Sequence, residues 1–347
     1  MSLRLFTVFI AACTVAACST VPIPPSAAPT LRTGQSGPGY TAYTSGSTDD
    51  AVTTPLGGAL LAGGGTDSDA GMRWLLAQGG TRAANEFGDV VVLRTSGSDG
   101  YNRYLLDRGA NSVTSIVIGT SEGANSDYVR DAIAKAEVVF LAGGDQSTYV
   151  TRWTGTALQA AVNARVAAGY PIGGTSAGLA VMGEYAYSAL NRSSTSAALL
   201  ANPYDSSATF ARVLFTVPLL KNLITDSHFV VRNRLGRSLT FLARLQQDGW
   251  STAPRGIAID EGSALGITAR GTGTVFGAGA GVYFLRVGTP TSRICVADTA
   301  LTLTPVLVHH VRVGGEFSVA SWSTADAVPY TLSTTAGTLT SSTGSIY

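Results

Sequence analysis

The chain reads Pro171-Ile172-Gly173-Gly174-Thr175-Ser176-Ala177-Gly178-Leu179-Ala180 between a strand-like run and a helix-like run. Ser176 therefore lies inside Gly-x-Ser-x-Gly, in the strand-to-helix context of a nucleophile elbow. Glycines two residues on either side of the serine let strand and helix approach without Cβ clashes. A phosphate loop is the weaker interpretation, because neither Gly-Lys-Ser/Thr nor a complete Gly-x-Gly-x-x-Gly follows this strand. The stretch predicts a reactive serine at a strand end.

Short apolar runs lie on both sides of this motif. From Leu56 onward they alternate with helix-sized segments, and they include residues 58–62, 90–93, 113–118 and 138–142. Runs of this length are typical of parallel strands that are covered on both faces by helices, which we expect at residues 69–78 and 147–168. The sequence thus predicts an α/β fold with a doubly wound, mostly parallel sheet. Several strands end in glycine, at the sheet edge where ligands bind in such folds.

The composition excludes some functions. The 347 residues are 45% hydrophobic and 13% charged, which is enough for a large core, and the net charge is +1. Because so small a charge gives no long-range field, we expect no nucleic-acid partner. The three histidines and the scattered carboxylates show no ligand spacing such as His-Glu-x-x-His, so we expect neither a metal nor another cofactor.

The first residues resemble a bacterial lipoprotein signal. Arg4 precedes an apolar run at residues 5–17, and Cys18 follows Val-Ala-Ala. This pattern predicts cleavage before a lipid-modified Cys18, while simple secretion after cleavage near Ala17 is the alternative. Cys13 would then be removed, leaving Cys295 as a small core residue without a disulfide. We expect a cell-envelope lipoprotein, in the outer membrane because Ser19 stands where aspartate would favour the inner one, or a secreted protein.

The composition along the chain predicts four segments. Residues 1–17 form the signal peptide, and residues 18–54, rich in Pro, Ser, Thr and Gly, form a lipidated flexible tether outside the fold. Residues 55–287 form the α/β domain. Residues 288–347 form a β-rich extension, because Thr- and Val-rich runs replace helix-like segments after about Gly281.

A reactive serine needs a base and an acid. His228 lies where a strand-like run meets a polar one, whereas His309 and His310 lie in the late β region, where a structural role is expected. Three carboxylates are candidates for the acid. Asp260 and Glu261 follow the apolar run at residues 256–259, and Asp226 is close to His228 along the chain. Strand periodicity does not choose between Asp260 and Glu261, because a parallel strand is buried on both sides.

Two backbone donors are needed for the oxyanion of a tetrahedral intermediate. The N–H of Ala177 follows the nucleophile directly, and Gly144 lies at the end of a neighbouring strand. Downstream of the base, Arg232, Arg234 and Arg237 could bind carboxylates of a substrate if this segment borders the crevice. The alternative for these arginines is a solvated basic turn.

Four motifs in order resemble cyanophycinases and the wider S51 group of serine peptidases, which includes aspartyl dipeptidase. They are Phe140–Gln146, Gly173–Gly178, Asp226–Phe229 with its three following arginines, and Gly256–Glu261, within a region from about Leu56 to about Val287. The resemblance implies a glutamine-amidotransferase-like (flavodoxin-like) fold with Ser176 as nucleophile, His228 as base and Glu261 as acid. It also implies a substrate pocket formed by the following residues: Gln146, Asp226, Ser227, Arg232, Arg234 and Arg237. Ser227 replaces the more usual Gln of the family and removes one amide contact.

The resemblance implies a function as well. Cyanophycin is an aspartate backbone that carries arginine on its side-chain carboxyls, and the family releases β-aspartyl-arginine dipeptides from it. We therefore expect an envelope or secreted serine peptidase whose partner is cyanophycin or another peptide. The alternatives are an aspartyl or isoaspartyl dipeptidase that acts on small peptides and a non-catalytic envelope binding protein. A homodimer is left open.

Overall fold

A computed structural model describes residues 34–347. Outside the described residues lie the predicted signal peptide with Cys13, the lipidation site Cys18, and the first part of the predicted tether, up to residue 33. None of the helices in the described part is long and apolar enough to cross a membrane.

The elements follow one another closely along the chain. The strands are β1 Gln35–Gly37, β2 Tyr40–Gly46, β3 Gly58–Ala62, β4 Thr81–Ala83, β5 Glu86–Phe87, β6 Val90–Arg94, β7 Ser112–Ile118, β8 Val138–Leu141, β9 Ile172–Thr175, β10 Tyr185–Tyr187, β11 Phe210–Arg212, β12 Leu223–Asp226, β13 Arg255–Ile259, β14 Ser263–Thr268, β15 Thr272–Gly277, β16 Val282–Ile294, β17 Thr302–Val311, β18 Glu316–Ser318, β19 Tyr330–Thr335 and β20 Thr338–Ser341. The helices are α1 Asp69–Gln78, α2 Gly100–Leu106, α3 Ser121–Ala124, α4 Asp127–Lys135, α5 Gln146–Trp153, α6 Ala157–Ala167, α7 Ala177–Ala180, α8 Ser196–Ala201 and α9 Leu235–Gln247, with a 3₁₀ turn at Pro218–Leu220.

The first large sheet has a parallel centre. Its order is β1-β2-β7-β6-β8-β9-β3-β14-β15-β18, and the five strands from β7 to β3 run parallel. Side chains of α1 and α2 pack on one face, and those of α4, α5 and α6 pack on the other. Residues 90–93 are buried on both faces, as the continuous apolar run predicts. The predicted α/β fold is confirmed at this level.

Antiparallel strands flank this centre, so the sheet is mixed rather than mostly parallel. β14 pairs antiparallel with β3, and β2 pairs antiparallel with β7. Residues 35–46 were expected to belong to the tether, and that part of the prediction is wrong. The segment is polar, but Ala42 and Ser45 are buried and the backbone of β2 is bonded along the whole of β7. Polar composition conceals a strand when its backbone pairs with an existing sheet edge.

The second large sheet contains four of the five described strands that begin after Gly281, and β18 belongs to the first sheet. The order of the second sheet is β11-β10-β12-β13-β16-β17-β19-β20, in which β10, β12 and β13 are parallel and the other pairs are antiparallel. The expected extra C-terminal strands are therefore present, and they continue a sheet that begins in the α/β region. The boundary predicted at 287/288 falls within β16. Cys295 is free and buried.

Candidate active site

Ser176 occupies a strained turn between β9 and α7. Its φ of 54° and ψ of −114° lie in a region that L residues rarely adopt, and its N–H donates to the Ala62 carbonyl at 3.1 Å. A Cβ on Gly174 would lie 2.7 Å from the backbone of Gly178, and a Cβ on Gly178 would overlap the Leu141 carbonyl. The two glycines therefore permit the close strand-to-helix approach that the motif predicts.

His228 reaches Ser176 from the other large sheet. It follows β12, and its Nε2 lies 2.7 Å from Ser176 Oγ. Its backbone N–H donates to the Gly63 carbonyl at 2.8 Å, which joins the end of β12 to the end of β3. Gly64, with φ of 93°, lies against the imidazole, and a Cβ there would be 2.6 Å from Nε2. The run of glycines after β3 was the sequence signal for this contact, although sequence reasoning gave it no role toward the histidine.

Glu261 is the carboxylate that contacts the imidazole. Its Oε1 lies 2.5 Å from His228 Nδ1, and the residue belongs to the turn between β13 and β14. Asp260 faces another way, since its Oδ1 accepts the N–H groups of Val230 and Val231 at 2.8 and 3.1 Å. The geometry therefore aligns Ser176, His228 and Glu261.

The surroundings of the His228 ring favour its neutral form. Burial lowers the pKa of His228 below its ordinary value, and the hydrogen bond to Glu261 opposes this effect. Arg232 also lowers that pKa, and its Nε lies 3.5 Å from Glu261 Oε1. A neutral His228 can accept the hydroxyl proton of Ser176 at neutral pH.

Two backbone segments that carry the predicted oxyanion donors lie beside Ser176. Ala177 begins α7, so its N–H has no acceptor within the helix. The Gly143–Gly144 segment follows β8 beside the serine, and a Cβ on Gly143 would lie 3.5 Å from Ser176 Cβ. Gly144 has φ of 154°, and half-buried Gln146 begins α5 two residues later. The predicted oxyanion donors thus lie on the two segments that meet at Ser176.

The predicted binding residues from Asp226 onward separate into a buried group and the exposed Arg232. Asp226 and Arg237 are buried and bonded to each other, with Arg237 Nε 2.8 Å from Asp226 Oδ2, and Ser238 adds a third bond. Arg234 Nη1 donates to the carbonyl of buried Ser227 at 2.8 Å and lies 3.6 Å from Asp226. This arrangement does not place Asp226, Ser227 or Arg237 where a substrate reaches them.

The exposed member of the predicted set is Arg232.

His309 and His310 lie on β17, and His310 Nε2 bonds to the Ala280 carbonyl at 2.6 Å. Within residues 34–347, no group of three or more His, Cys, Asp or Glu side chains is placed to hold a metal ion.

Asp67 was missed by sequence reasoning. It follows the glycines after β3, and its carboxylate accepts the hydroxyls of Thr175 at 2.9 Å and Tyr101 at 2.6 Å. Thr175 directly precedes Ser176. Asp67 and Thr175 are 108 residues apart along the chain, so no local pattern joins them.

The fold and the site define a class: an α/β protein with the serine, imidazole and carboxylate arrangement that serine hydrolases use. The sequence model of Peptidase family S51 matches residues 101–273, which include Ser176, His228 and Glu261. This region, about half of the chain, therefore belongs to peptidase family S51, and the resemblance of the motifs is confirmed.

Relatives with curated names support the same family. The cyanophycinase of Trichormus variabilis (strain ATCC 29413 / PCC 7937) is 32% identical over 144 residues, which are 41% of this chain and 45% of that protein. The cyanophycinase of Nostoc sp. (strain PCC 7120 / SAG 25.82 / UTEX 2576) is 31% identical with the same coverage. The match therefore spans just under half the length of these relatives.

Two solved structures have a partial likeness. A peptidase from an acI-B1 Actinobacterium is 13% identical with a TM-score of 0.47, over 76% of this chain and 97% of that chain. A putative peptidase E protein from Listeria monocytogenes EGD-e is 13% identical with a TM-score of 0.41, over 64% of this chain and 99% of that chain. Both TM-scores are below 0.5, and the fold described above rests on the strand pairing of the chain itself.

Proposed function

We propose that this protein is a serine peptidase of family S51 that hydrolyses aspartyl backbone bonds of cyanophycin and releases β-aspartyl-arginine dipeptides. The observation that carries the proposal is the hydrogen-bonded line from Ser176 Oγ through the His228 ring to Glu261 Oε1, at 2.7 and 2.5 Å. The substrate class comes from the relatives that are named cyanophycinase.

The proposed reaction has two halves. His228 Nε2 takes the proton of Ser176 as Oγ attacks the peptide carbonyl carbon, and Glu261 stabilises the imidazolium. The N–H groups of Ala177 and Gly144 stabilise the oxyanion. When the C–N bond breaks, His228 returns the proton to the leaving amine. Water then gives a proton to His228, attacks the acyl-enzyme, and releases the second product as a carboxylic acid, with Ser176 protonated again.

The proposal extends to location and fold type. Cleavage before Cys18 and its lipidation would hold the enzyme at the cell envelope, and secretion is the alternative. The glutamine-amidotransferase-like fold and a homodimer also stay predictions. Mass analysis of the mature N-terminus from a bacterial membrane fraction tests the anchor, with the Cys18→Ala chain as control.

The deciding experiment is hydrolysis of cyanophycin by the purified mature chain, with mass analysis of the products. Ser176→Ala should lower turnover by about 10⁶-fold without a change in melting temperature. Ser121→Ala, an exposed serine on α3, is the matched control and should keep full activity. Retained turnover by Ser176→Ala would reject the mechanism.

The same assay separates the rival functions. Cleavage of soluble aspartyl or isoaspartyl dipeptides without any release from cyanophycin would identify a dipeptidase instead. Binding of these peptides without hydrolysis, together with no labelling of Ser176 by a small serine-directed phosphonate, would identify a binding protein.

A further inference from the structure

Asp67 is a charged group at the candidate active site that the proposed reaction does not use. It is half-buried between β3 and α1, and its two carboxylate oxygens accept the hydroxyls of Thr175 and Tyr101. Thr175 precedes the nucleophile and is buried. The Asp67 carboxylate is therefore held at the same end of the first sheet as Ser176, on the α1 and α2 side.

The carboxylate has only neutral hydrogen-bond donors. In the described part of the chain, no Lys, Arg or His nitrogen is within ion-pairing distance of Asp67, and nearby Arg108 is paired with Asp69. Burial raises the pKa of Asp67 above its ordinary value, and the two hydroxyls offset this only in part. A carboxylate in this condition gains more from an added cation than a solvated one does.

Several other acids at this end of the molecule are already engaged. Asp226 is paired with Arg237, Glu261 contacts His228, and Asp260 accepts two backbone N–H groups. Asp145 is exposed and caps α5 through the N–H of Ser147. Asp99, which precedes α2 at this end, also lacks a side-chain capping bond. Asp67 differs from Asp99 because its carboxylate is bonded to Thr175, the residue that precedes the nucleophile.

We propose that Asp67 binds the cationic group, a guanidinium or an ammonium, of the substrate that Ser176 attacks. The proposal rests on the proposed function and assigns this site its side-chain specificity. A guanidinium can donate two parallel hydrogen bonds to a carboxylate, and Thr175 and Tyr101 fix the orientation of the Asp67 oxygens. Exposed Arg232 lies on the His228 side of the site. The site therefore presents a negative carboxylate and a positive guanidinium to a substrate that carries both charges.

The test compares a charged substrate with a neutral one of the same shape. Synthetic β-aspartyl peptides carrying arginine or citrulline are supplied to the wild-type chain and to Asp67→Asn. Wild type should prefer arginine, and Asp67→Asn should reduce the ratio of the two kcat/KM values by about 10- to 100-fold, mainly through KM for the arginine peptide. Asp107→Asn, an exposed residue directly after α2 that is paired with Arg103, should keep the wild-type ratio.

Three results would overturn the assignment. One is an equal fall in kcat on both peptides for Asp67→Asn, which would mean that Asp67 only positions Thr175. Another is a wild-type chain that hydrolyses both peptides equally. The third is loss of the preference in Asp145→Asn but not in Asp67→Asn.

An inactive wild-type chain would contradict the proposed function, and the assignment of Asp67 is then tested by binding. Calorimetry with Ser176→Ala should show that the arginine peptide binds more tightly than the citrulline peptide. Ser176→Ala/Asp67→Asn should bind the two peptides alike. Equal binding of both peptides to Ser176→Ala would contradict the assignment.

Discussion

Two carboxylates follow neighbouring strands of the second sheet, and their environments differ. Asp226 ends β12 with its side chain 6% exposed, against an Arg237 side chain that is 3% exposed. Glu261 follows β13 with its side chain 29% exposed, between His228 and an Arg232 side chain that is 52% exposed. The two carboxylates differ in access: a substrate does not reach the buried Asp226–Arg237 pair, whereas partly exposed Glu261 is bonded to the histidine beside Ser176.

This comparison explains why similar residue types have different expected roles. A buried ion pair gives a large penalty when one partner is removed, because the other charge stays without water. Removing a partly exposed carboxylate that is bonded to an imidazole costs little stability, but the carboxylate sets the tautomer and charge of that ring. Substitutions should therefore separate stability from activity at these two acids.

Of the substitutions at these two acids and their partners, Glu261→Gln should have the largest effect, and that effect is on activity. The amide keeps the shape but removes the charge that stabilises the imidazolium, so kcat should fall by about 10⁴-fold with little change in melting temperature. Steady-state kinetics on a peptide substrate measures this. Asp260→Asn is the control, because an amide oxygen can still accept the N–H groups of Val230 and Val231. A larger loss in Asp260→Asn than in Glu261→Gln would reverse the assignment of the acid.

The next effect is that of Asp226→Asn on stability. Removing the charge leaves buried Arg237 unpaired and should lower the free energy of unfolding by about 3–5 kcal/mol, measured by urea denaturation. Exposed Asp107, paired with Arg103, is the control, and Asp107→Asn should cost less than about 1 kcal/mol. Equal small losses in both variants would show that burial does not distinguish the two pairs.

The pH dependence of that stability has a definite sign. Burial alone would raise the pKa of Asp226, but Arg237 and its other partners hold it below the ordinary value of 3.8. A lowered pKa in the folded state means that the stabilisation is complete above the unfolded value and is lost as pH falls through the folded one. Asp226→Asn should therefore unfold with less dependence on pH below about pH 4.

The sequence predicts features that depend on local pattern. The apolar run of β6 predicts a strand that is buried on both faces, and the glycines around Ser176 predict a sharp turn. Contacts between segments that are far apart along the chain have no such local pattern to predict them. The bond between Asp67 and Thr175 and the pairing of polar β2 with β7 join segments far apart along the chain.

The residue types alone also did not decide which carboxylate is the catalytic acid or which residues form the substrate pocket. The sequence placed Asp226, Asp260 and Glu261 near the same sheet edge, but strand alternation could not choose among them. The helix α9 brings Arg237 onto Asp226, and the Asp226 carboxylate is bonded to this arginine, whereas Glu261 is bonded to His228. Three-dimensional burial, rather than residue type, makes the distinction.

The smallest expected effect is that of Arg232→Ala, the open counterpart of Arg237. Because its guanidinium is half-exposed, removing it should cost less than about 1 kcal/mol of stability. Arg232 also contributes to lowering the pKa of His228, so the variant should raise that pKa. Since only neutral imidazole accepts the proton of Ser176, the acid limb of the kcat/KM profile should move to higher pH.

A pH profile of Arg232→Ala against Arg130→Ala checks this prediction. Arg130 is an exposed arginine on α4, paired with Asp127 and Asp131, and it is not among the groups that affect the pKa of His228. A shift of the limb to lower pH would contradict the role of Arg232 beside His228. An identical shift in both variants would assign the change to net charge. A shift confined to Arg232→Ala would show that the solvent-accessible arginine beside Glu261 tunes the base.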